Sequence, residues 1–234
     1  MAKKTREEWK TYQDVFDQFT IRTLWDLSSK GFLDGLKSPV SLGKEANVFT
    51  AEKGNEILCA KIYRLEVADF NAMYKYIRND PRFSGLQHQR RKVIFAWCQR
   101  EFRNLLKCKE AGISCPKPII FKNNVLLMEL IGEPGEPAPR LKDKPPSAPN
   151  KFFKKVLDNM KKLHKLNLVH ADLSEYNILN DNENPVFIDF SHTTPLDTPN
   201  ADELVKRDIA NTCRYFKKLG VKTTEKNIWD YITG

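Results

Sequence analysis

No stretch of this 234-residue chain approaches the roughly 20 consecutive apolar residues that a membrane-spanning helix needs. Met1 to Lys10 also lack the apolar segment of a secretory signal. These absences predict a soluble, cytoplasmic protein with no membrane partner. Cysteine is scarce and scattered. Cys59, Cys98, Cys108, Cys115 and Cys213 form no C-x-x-C pair, and an odd number of five suits reduced thiols better than a disulfide set or a zinc site. There is no internal repeat, so no repeat array is expected.

What the chain does have is enough apolar matter to bury a core, 41% of its residues, on a length that fits one domain or a tight two-lobed unit. Lysine and arginine exceed aspartate and glutamate by 39 to 30, a formal net charge of +9. Such an excess concentrates anions, whether nucleotide, RNA or acidic protein. Solvated lysines on helix faces account for the same numbers, so charge alone names no partner.

After a polar and aromatic opening to about Phe19, the residues Ile21, Leu24, Trp25 and Leu27 fall on one helical face that Gly31 closes. Runs rich in β-formers follow at Val40 to Leu42, Val48 to Ala51 and Ile57 to Tyr63, separated by Gly43-Lys44 and Lys53-Gly54-Asn55 turns, and read as a small antiparallel sheet. The charged stretch from Glu66 to Arg91, broken at Asn79-Asp80-Pro81, predicts a short helix and a mobile loop. A helix is expected from about Lys92 to Ala111, stopped by Gly112. Ile119 to Phe121 and Val125 to Ile131 flank Asn123-Asn124, residues that tolerate the left-handed conformation of a two-residue hairpin. Residues 133 to 149 hold six of the thirteen prolines and mark a linker. Beyond it, Phe153, Val156, Leu157, Met160, Leu163 and Leu166 form a helical stripe, Ile178-Leu179 and Val186 to Phe190 form short strands, and Leu204 through Leu219 form a last helix. The expected architecture is α+β and two-lobed: an N-terminal extension at 1–20, a sheet-rich lobe at 21–132, a hinge at 133–150 and a helical lobe at 151–234.

The strongest chemical signal is His170-Ala171-Asp172-Leu173-Ser174-Glu175-Tyr176-Asn177, followed twelve residues later by Asp189. Phosphoryl transfer needs a carboxylate near the attacking oxygen and oxygen ligands that hold a divalent cation against the phosphates. An Asp and an Asn five apart on one loop, with a second Asp beyond, supply both. A chance turn containing Asp and Asn is the plain alternative. Lys61 lies in the apolar run Ile57 to Tyr63, where a buried lysine needs an anion; an edge strand with the amine in water is the competing reading. Val93, Trp97, Glu101 and Leu105 recur every four residues, so Glu101 points with the apolar stripe and offers that anion. In this reading Lys61 orients phosphates and does not build the core, so its removal would leave the fold intact. Ser41-Leu42-Gly43-Lys44-Glu45-Ala46 sits where a phosphate-covering loop belongs but holds one glycine, leaving backbone amides and Lys44 to do the covering. A Walker A loop is excluded, because Ser38 stands five residues before Gly43 and Glu45 follows Lys44. Met128-Glu129-Leu130-Ile131-Gly132 ends the last strand before the linker, where an adenine edge would meet exposed backbone. His88, His164 and His192 have no partner pattern, and His170 is expected to shape its loop.

Taken together, Gly-Lys-Glu-Ala-Asn-Val (43–48), Ala-Lys-Ile-Tyr (60–63), Glu-Phe-Arg-Asn-Leu (101–105), Met-Glu-Leu-Ile-Gly (128–132) and His-Ala-Asp-Leu-Ser-Glu-Tyr-Asn (170–177) resemble, in order, the motifs of the RIO family of atypical kinases, in the branch without an N-terminal winged helix. The resemblance spans roughly residues 20 to 220 and implies a minimal protein-kinase-like fold, ATP, and Mg²⁺ or Mn²⁺. It implies nucleotide contacts from Gly43, Lys44, Glu45, Val48 and Lys61, the last held by Glu101, and adenine contacts from the backbone of Glu129 and Ile131. Asp172 would accept the proton, Asn177 and Asp189 would bind the metal, and Asp189 could itself take the phosphoryl group. The implied activity is a serine/threonine kinase or ATPase acting on itself or another protein, with the maturing small ribosomal subunit as partner. Three departures stand out: Leu42 where a small hydroxyl residue is usual, Phe190-Ser191-His192 where a small residue and glutamine usually follow the metal aspartate, and the proline-rich stretch.

Aminoglycoside or choline kinases share the loop spacing, but only 45 residues follow Asp189, too few for their substrate region. The small kinase of the tRNA-threonylcarbamoylation complex would differ at Ala171 and at Ser174 to Tyr176. No Ala-Pro-Glu segment follows Asp189. That absence keeps open a nucleotide-gated ribosome- or RNA-binding module with little kinase activity.

Overall fold

A computed structural model of the chain describes residues 16–66, 70–78, 83 and 89–234. Helix α1 (Gln18–Ser29) begins where the Asp17 carboxylate accepts from the amides of Phe19 and Thr20, and the chain leaves it through Gly31 at φ 78°. Its apolar face packs Ile21, Leu24 and Leu27 against Leu36, Phe49, Leu58 and Leu127 of the sheet.

That sheet has the strands β1 (Gly35–Leu42), β2 (Ala46–Lys53), β3 (Glu56–Tyr63), β4 (Pro118–Lys122) and β5 (Val125–Glu129), in the order β1-β2-β3-β5-β4 with every neighbour antiparallel. Its register sets Val48 opposite Lys61 and Lys61 opposite Leu126. At the β4–β5 turn only Asn123 takes positive φ, 52°. Asn124 serves differently: its buried amide donates to Thr20 Oγ1 (2.9 Å) and to the Tyr63 carbonyl (2.8 Å), tying α1 to the end of β3.

Helix α2 (Phe70–Arg78) lies in the charged stretch, and α3 (Arg90–Glu110) starts two residues earlier than its periodicity suggests and ends ahead of Gly112 at φ 69°. Ser84, the one serine of residues 64–91 and the expected site of self-phosphorylation, and His88 lie outside the described residues. Two compact units emerge: one of Met1–Arg78, Phe83–Phe102 and Lys117–Pro137, the other of Asn79–Arg82, Arg103–Pro116 and Ala138–Gly234. Helix α3 is divided between them after Phe102.

The proline-rich stretch carries structure of its own. β6 (Gly132–Glu133) and β7 (Glu136–Pro137) form a hairpin in the first unit. In the second, the segment after Pro137 is laid along residues 175–180: Leu141 is fully buried, its amide donates to Ile178 O (2.8 Å), and that of Lys142 donates to Glu175 O (3.0 Å).

The second unit continues with α4 (Pro149–Lys165), β8 (Leu168–Val169), β9 (Ile178–Asp181), β10 (Asn184–Phe187), β11 (Thr194–Pro195), α5 (Ala201–Lys218) and α6 (Glu225–Thr233). β9 pairs with β10 and β8 with β11, both antiparallel. The first helical residue of α4 is Pro149, and Ala148 before it has no capping side chain. Glu183, from the β9–β10 hairpin, fills the role: its carboxylate accepts from the amides of Ser147 (3.0 Å) and Ala148 (3.3 Å), placing negative charge at the helix start. The periodic pattern up to Gly220 does not anticipate α6, which Thr224 and Asn227 open as a reciprocal capping box. Its buried Ile228 and Ile232 and a hydrogen bond from Tyr231 to Asp158 of α4 (2.5 Å) fasten it. Among the described residues no helix is long and apolar enough to cross a membrane. All five cysteines are buried free thiols.

Candidate active site

In the first unit, strand alternation sends Cys59, Lys61 and Tyr63 of β3 to one face. Lys61 is only 7% exposed, so it is not an edge-strand lysine reaching for water. Its Nζ lies 2.9 Å from Oε1 of Glu101, and the other carboxylate oxygen accepts from the Tyr63 hydroxyl. Glu101 is 1% exposed, on the stripe that its four-residue recurrence predicts. Burial pushes the Cys59 thiol up to about 12 and Cys98 well above its ordinary value, with the Glu101 charge adding to the shift in both. The thiols beside the pair therefore stay protonated and lack nucleophilic character.

The β1–β2 turn explains its one glycine. The Gly43 amide donates to Ala46 O (3.0 Å), and a β-carbon at Gly43 would lie 2.8 Å from that oxygen. Lys44 is exposed, Glu45 and Val48 are half-buried, and Glu45 O accepts from the Arg64 amide (2.9 Å). At the end of β5, Glu129 is locked by two bonds to Lys117: its amide donates to Lys117 O (2.9 Å), and its carboxylate accepts from the Lys117 amide (2.9 Å). Ile131 follows, half-buried, before the β6–β7 hairpin.

In the second unit, the loop between β8 and β9 draws Asp172 and Asn177 together. The Asn177 side-chain amide donates to both the carbonyl and Oδ2 of Asp172 (2.8 Å each). Asn177 O accepts from the Ile188 amide (3.0 Å), so the residue before Asp189 is fixed to the same loop. Asp189 lies two residues past β10 instead of within the strand, at φ 62°; Ala171 adopts φ 67°. Two non-glycine residues in the left-handed region, each beside or at a candidate catalytic aspartate, store strain where the chain must turn sharply. Ser191 donates to Asp189 Oδ1 (2.7 Å), and Asn104 of α3 donates to Phe190 O (2.9 Å) and Thr193 O (3.1 Å), holding the turn after Asp189.

His170 shapes this loop as expected. Its Nε2 donates to Ile188 O (3.0 Å), while Nδ1 is buried without a partner. Burial pulls its pKa down to about 4 against the opposing pull of Asp189, so the ring is neutral.

Sequence reasoning missed the residues that hold the loop from behind. Asp208 of α5 accepts from the amides of Ala171 (2.8 Å) and Leu173 (2.9 Å), Arg207 donates to Ala171 O, and Asn211 donates to Leu173 O (3.2 Å). Every backbone polar group of the two residues flanking Asp172 is thus bonded to one helix. Burial raises Asp208 to about 7, outweighing the two amide donors and Arg207. The signal was available: Val205, Asp208, Ile209, Thr212 and Phe216 share the buried face of α5, the same argument that singled out Glu101.

Among the described residues no cluster of three or more His, Cys, Asp and Glu side chains could hold a metal by itself. Asn177 and Asp189 offer hard oxygen donors suited to Mg²⁺, a cation that keeps waters and takes phosphate oxygens to complete its shell. The donor set fits a cation bound together with a nucleotide.

A family model of the RIO domain matches residues 47–228. The RIO-type serine/threonine-protein kinase Rio1 of Methanocaldococcus jannaschii is 43% identical over 233 residues, covering 99% of this chain and 80% of that protein. Its Haloferax volcanii namesake is 37% identical over 235 residues, 100% and 81% of the two chains. The human serine/threonine-protein kinase RIO1 is 32% identical over 237 residues, with 98% of this chain matching 42% of that one. Among solved structures, the Rio2 kinase–ADP/Mg²⁺–phosphoaspartate complex from Chaetomium thermophilum superposes with a TM-score of 0.69 at 20% identity. It covers 91% of this chain, which spans about 65% of that one, and the likeness is one of fold.

Proposed function

Because the chain belongs to the RIO family of serine/threonine protein kinases, we propose that it transfers the γ-phosphoryl group of ATP to a serine or threonine hydroxyl, its own or another protein's, and also hydrolyses ATP. The observation that carries this reading is the tie among Asp172, Asn177 and the Ile188-Asp189 turn. Asp172 accepts the proton of the attacking hydroxyl. Asn177 and Asp189 hold Mg²⁺, or Mn²⁺, which when bound neutralises phosphate charge. Lys61, braced by Glu101, holds the phosphates under the turn at Gly43, Lys44 and Glu45, with Val48 against the nucleotide, and the backbone of Glu129 and Ile131 takes the adenine edge.

Two observations favour an added role for Asp189 as phosphoryl acceptor. The Rio2 structural neighbour holds ADP, Mg²⁺ and a phosphoaspartate. No Ala-Pro-Glu segment for laying down a peptide follows Asp189. In this reading the acyl phosphate marks a nucleotide-gated state of a cytoplasmic protein that engages the maturing small ribosomal subunit, a partner suited to a chain of net charge +9. Self-phosphorylation at Ser84 belongs to the same reading.

The deciding experiment incubates the purified protein with γ-labelled ATP and Mg²⁺, alone and with small ribosomal subunits, and follows the label into protein and free phosphate. Label in neither overturns the proposal.

A further inference from the structure

A lysine–carboxylate pair explains one oxygen of Glu101 and leaves the other to be accounted for. Glu101 is 1% exposed, and a carboxylate withdrawn from water is held in its charged form only when both oxygens find donors. Lys61 supplies one at 2.9 Å, and the Tyr63 hydroxyl supplies the other. Tyr63 touches the second partner as well, since the Lys61 Nζ stands 5.2 Å from the centroid of its ring.

The position of Tyr63 is fixed independently of this contact. Its amide donates to Asn124 O (2.8 Å), and its carbonyl accepts from the Asn124 side chain (2.8 Å). Asn124 is fully buried and bonded in turn to Thr20 of α1. The ring is thus delivered by a backbone locked on both sides, two residues after Lys61 on the same face of β3. A residue needed only to fill the core could be phenylalanine, which brings no buried hydroxyl to satisfy.

We infer that Tyr63 is a positioning residue for the nucleotide site, its hydroxyl holding the second oxygen of Glu101 so that the carboxylate stays charged and turned toward Lys61. The inference rests on the reading of Lys61 and Glu101 as the phosphate-orienting pair. Tyr63 acts through Glu101 and is given no contact with ATP.

The test is a double-mutant cycle of Tyr63→Phe and Glu101→Gln, with ATP affinity from calorimetry and kcat/KM for ATP hydrolysis as readouts. It is run at a temperature where circular dichroism shows every variant folded. Tyr63→Phe keeps the ring and its packing, and is expected to lower kcat/KM for ATP on the order of tenfold, the worth of one hydrogen bond to a charged group. In the Glu101→Gln background the same substitution is expected to change it less than twofold, because the charge it serves is gone. A purely structural tyrosine would lower the melting temperature and act equally in both backgrounds; equal effects, or no effect of Tyr63→Phe in the wild-type background, overturn the inference. Lys61→Ala separates this failure from a broader one. If Lys61→Ala binds and turns over ATP like wild type, the pair is not the nucleotide site. If it loses turnover while the cycle is additive, only the role of Tyr63 falls.

Discussion

Lys61 and Glu101 come from elements forty residues apart in sequence and meet at 2.9 Å, their side chains 9% and 1% exposed. Removing one partner of so buried a pair strands the other's charge, which destabilises proteins by about 3–5 kcal/mol, whereas replacing both with neutral groups is often close to neutral. Lys61→Ala is therefore expected to lower the unfolding midpoint as well as phosphoryl transfer, contrary to the simpler expectation of an intact fold. The combination Lys61→Met with Glu101→Gln is expected to recover most of the stability and none of the transfer. Urea unfolding and ATP turnover on the three proteins check this; turnover recovered by the neutral pair would remove Lys61 from the chemistry.

Asp208 holds the amides on either side of Asp172. Above pH 7, where the Asp208 carboxylate is ionised, an asparagine in its place presents one acceptor where two are needed and turns an N–H toward an amide donor. Asp208→Asn should lower kcat at least tenfold and stability by about 1–3 kcal/mol, the cost of a buried donor left unmet. Affinity for ATP without metal should change little, because Asp208 bonds only to the loop. Unchanged kcat with a normal melt would show that the loop keeps its shape unaided.

The elements and their order were largely legible because each rests on a local pattern: the stripe through Ile21 and Leu27, the β-rich runs around Gly43 and Gly54, and the glycine stops at Gly31 and Gly112. Glu101 was legible for the same reason, a carboxylate at an apolar position. Three features were not. The helix at Glu225–Thr233 is short, and its identity lies in a cap pairing Thr224 with Asn227 and in tertiary contacts of Tyr231. The strap at 138–148 has a composition that reads as linker, yet its Leu141 and Lys142 amides are satisfied by carbonyls of Ile178 and Glu175, partners more than thirty residues away. For the brace from Asp208, the apolar face of α5 marks the carboxylate as buried, but its partners are backbone amides, which leave no mark on the amino-acid pattern.

His170 and Asp208 bias stability against pH in opposite directions. The folded His170 titrates at about 4 against an ordinary 6.5, so the unfolded chain binds the proton first and stability falls as pH drops from 6.5 toward 4. The folded Asp208 titrates at about 7 against an ordinary 3.8, so the folded chain binds the proton first and stability falls as pH rises from 3.8 through 7. The effects are on the order of 3 kcal/mol for His170 and 4 kcal/mol for Asp208 over their windows. Relative to wild type, His170→Phe should make the stability curve slope downward with rising pH between 4 and 6.5, and Asp208→Asn should make it slope upward. Urea midpoints at pH 4.5, 5.5 and 6.5 read the two slopes; slopes of the same sign would refute the assignment.

The two aspartates of the second unit are separable by the bond each would break or form. Asp172 is exposed and bonded to the Asn177 amide, and in the proposed function it would receive a proton from an attacking hydroxyl. Asp172→Asn should abolish transfer to serine and threonine while nucleotide and metal still bind, because Asn177 and Asp189 remain. Asp189 has one oxygen engaged by Ser191 and a backbone held in the left-handed region, an unusual investment for a ligand alone. If Asp189 accepts the phosphoryl group, its oxygen attacks the γ-phosphorus and ADP leaves, and the wild type accumulates an acyl phosphate that hydroxylamine cleaves, unlike a phosphoserine ester. Asp189→Asn should then lose that adduct together with most metal-dependent turnover, while Asp172→Asn keeps the adduct or accumulates more of it. Active wild-type protein that carries only hydroxylamine-stable phosphate, with small ribosomal subunits present and absent and under conditions that preserve acyl phosphates, would leave Asp189 as a metal ligand and make hydroxyl phosphorylation the whole of the chemistry.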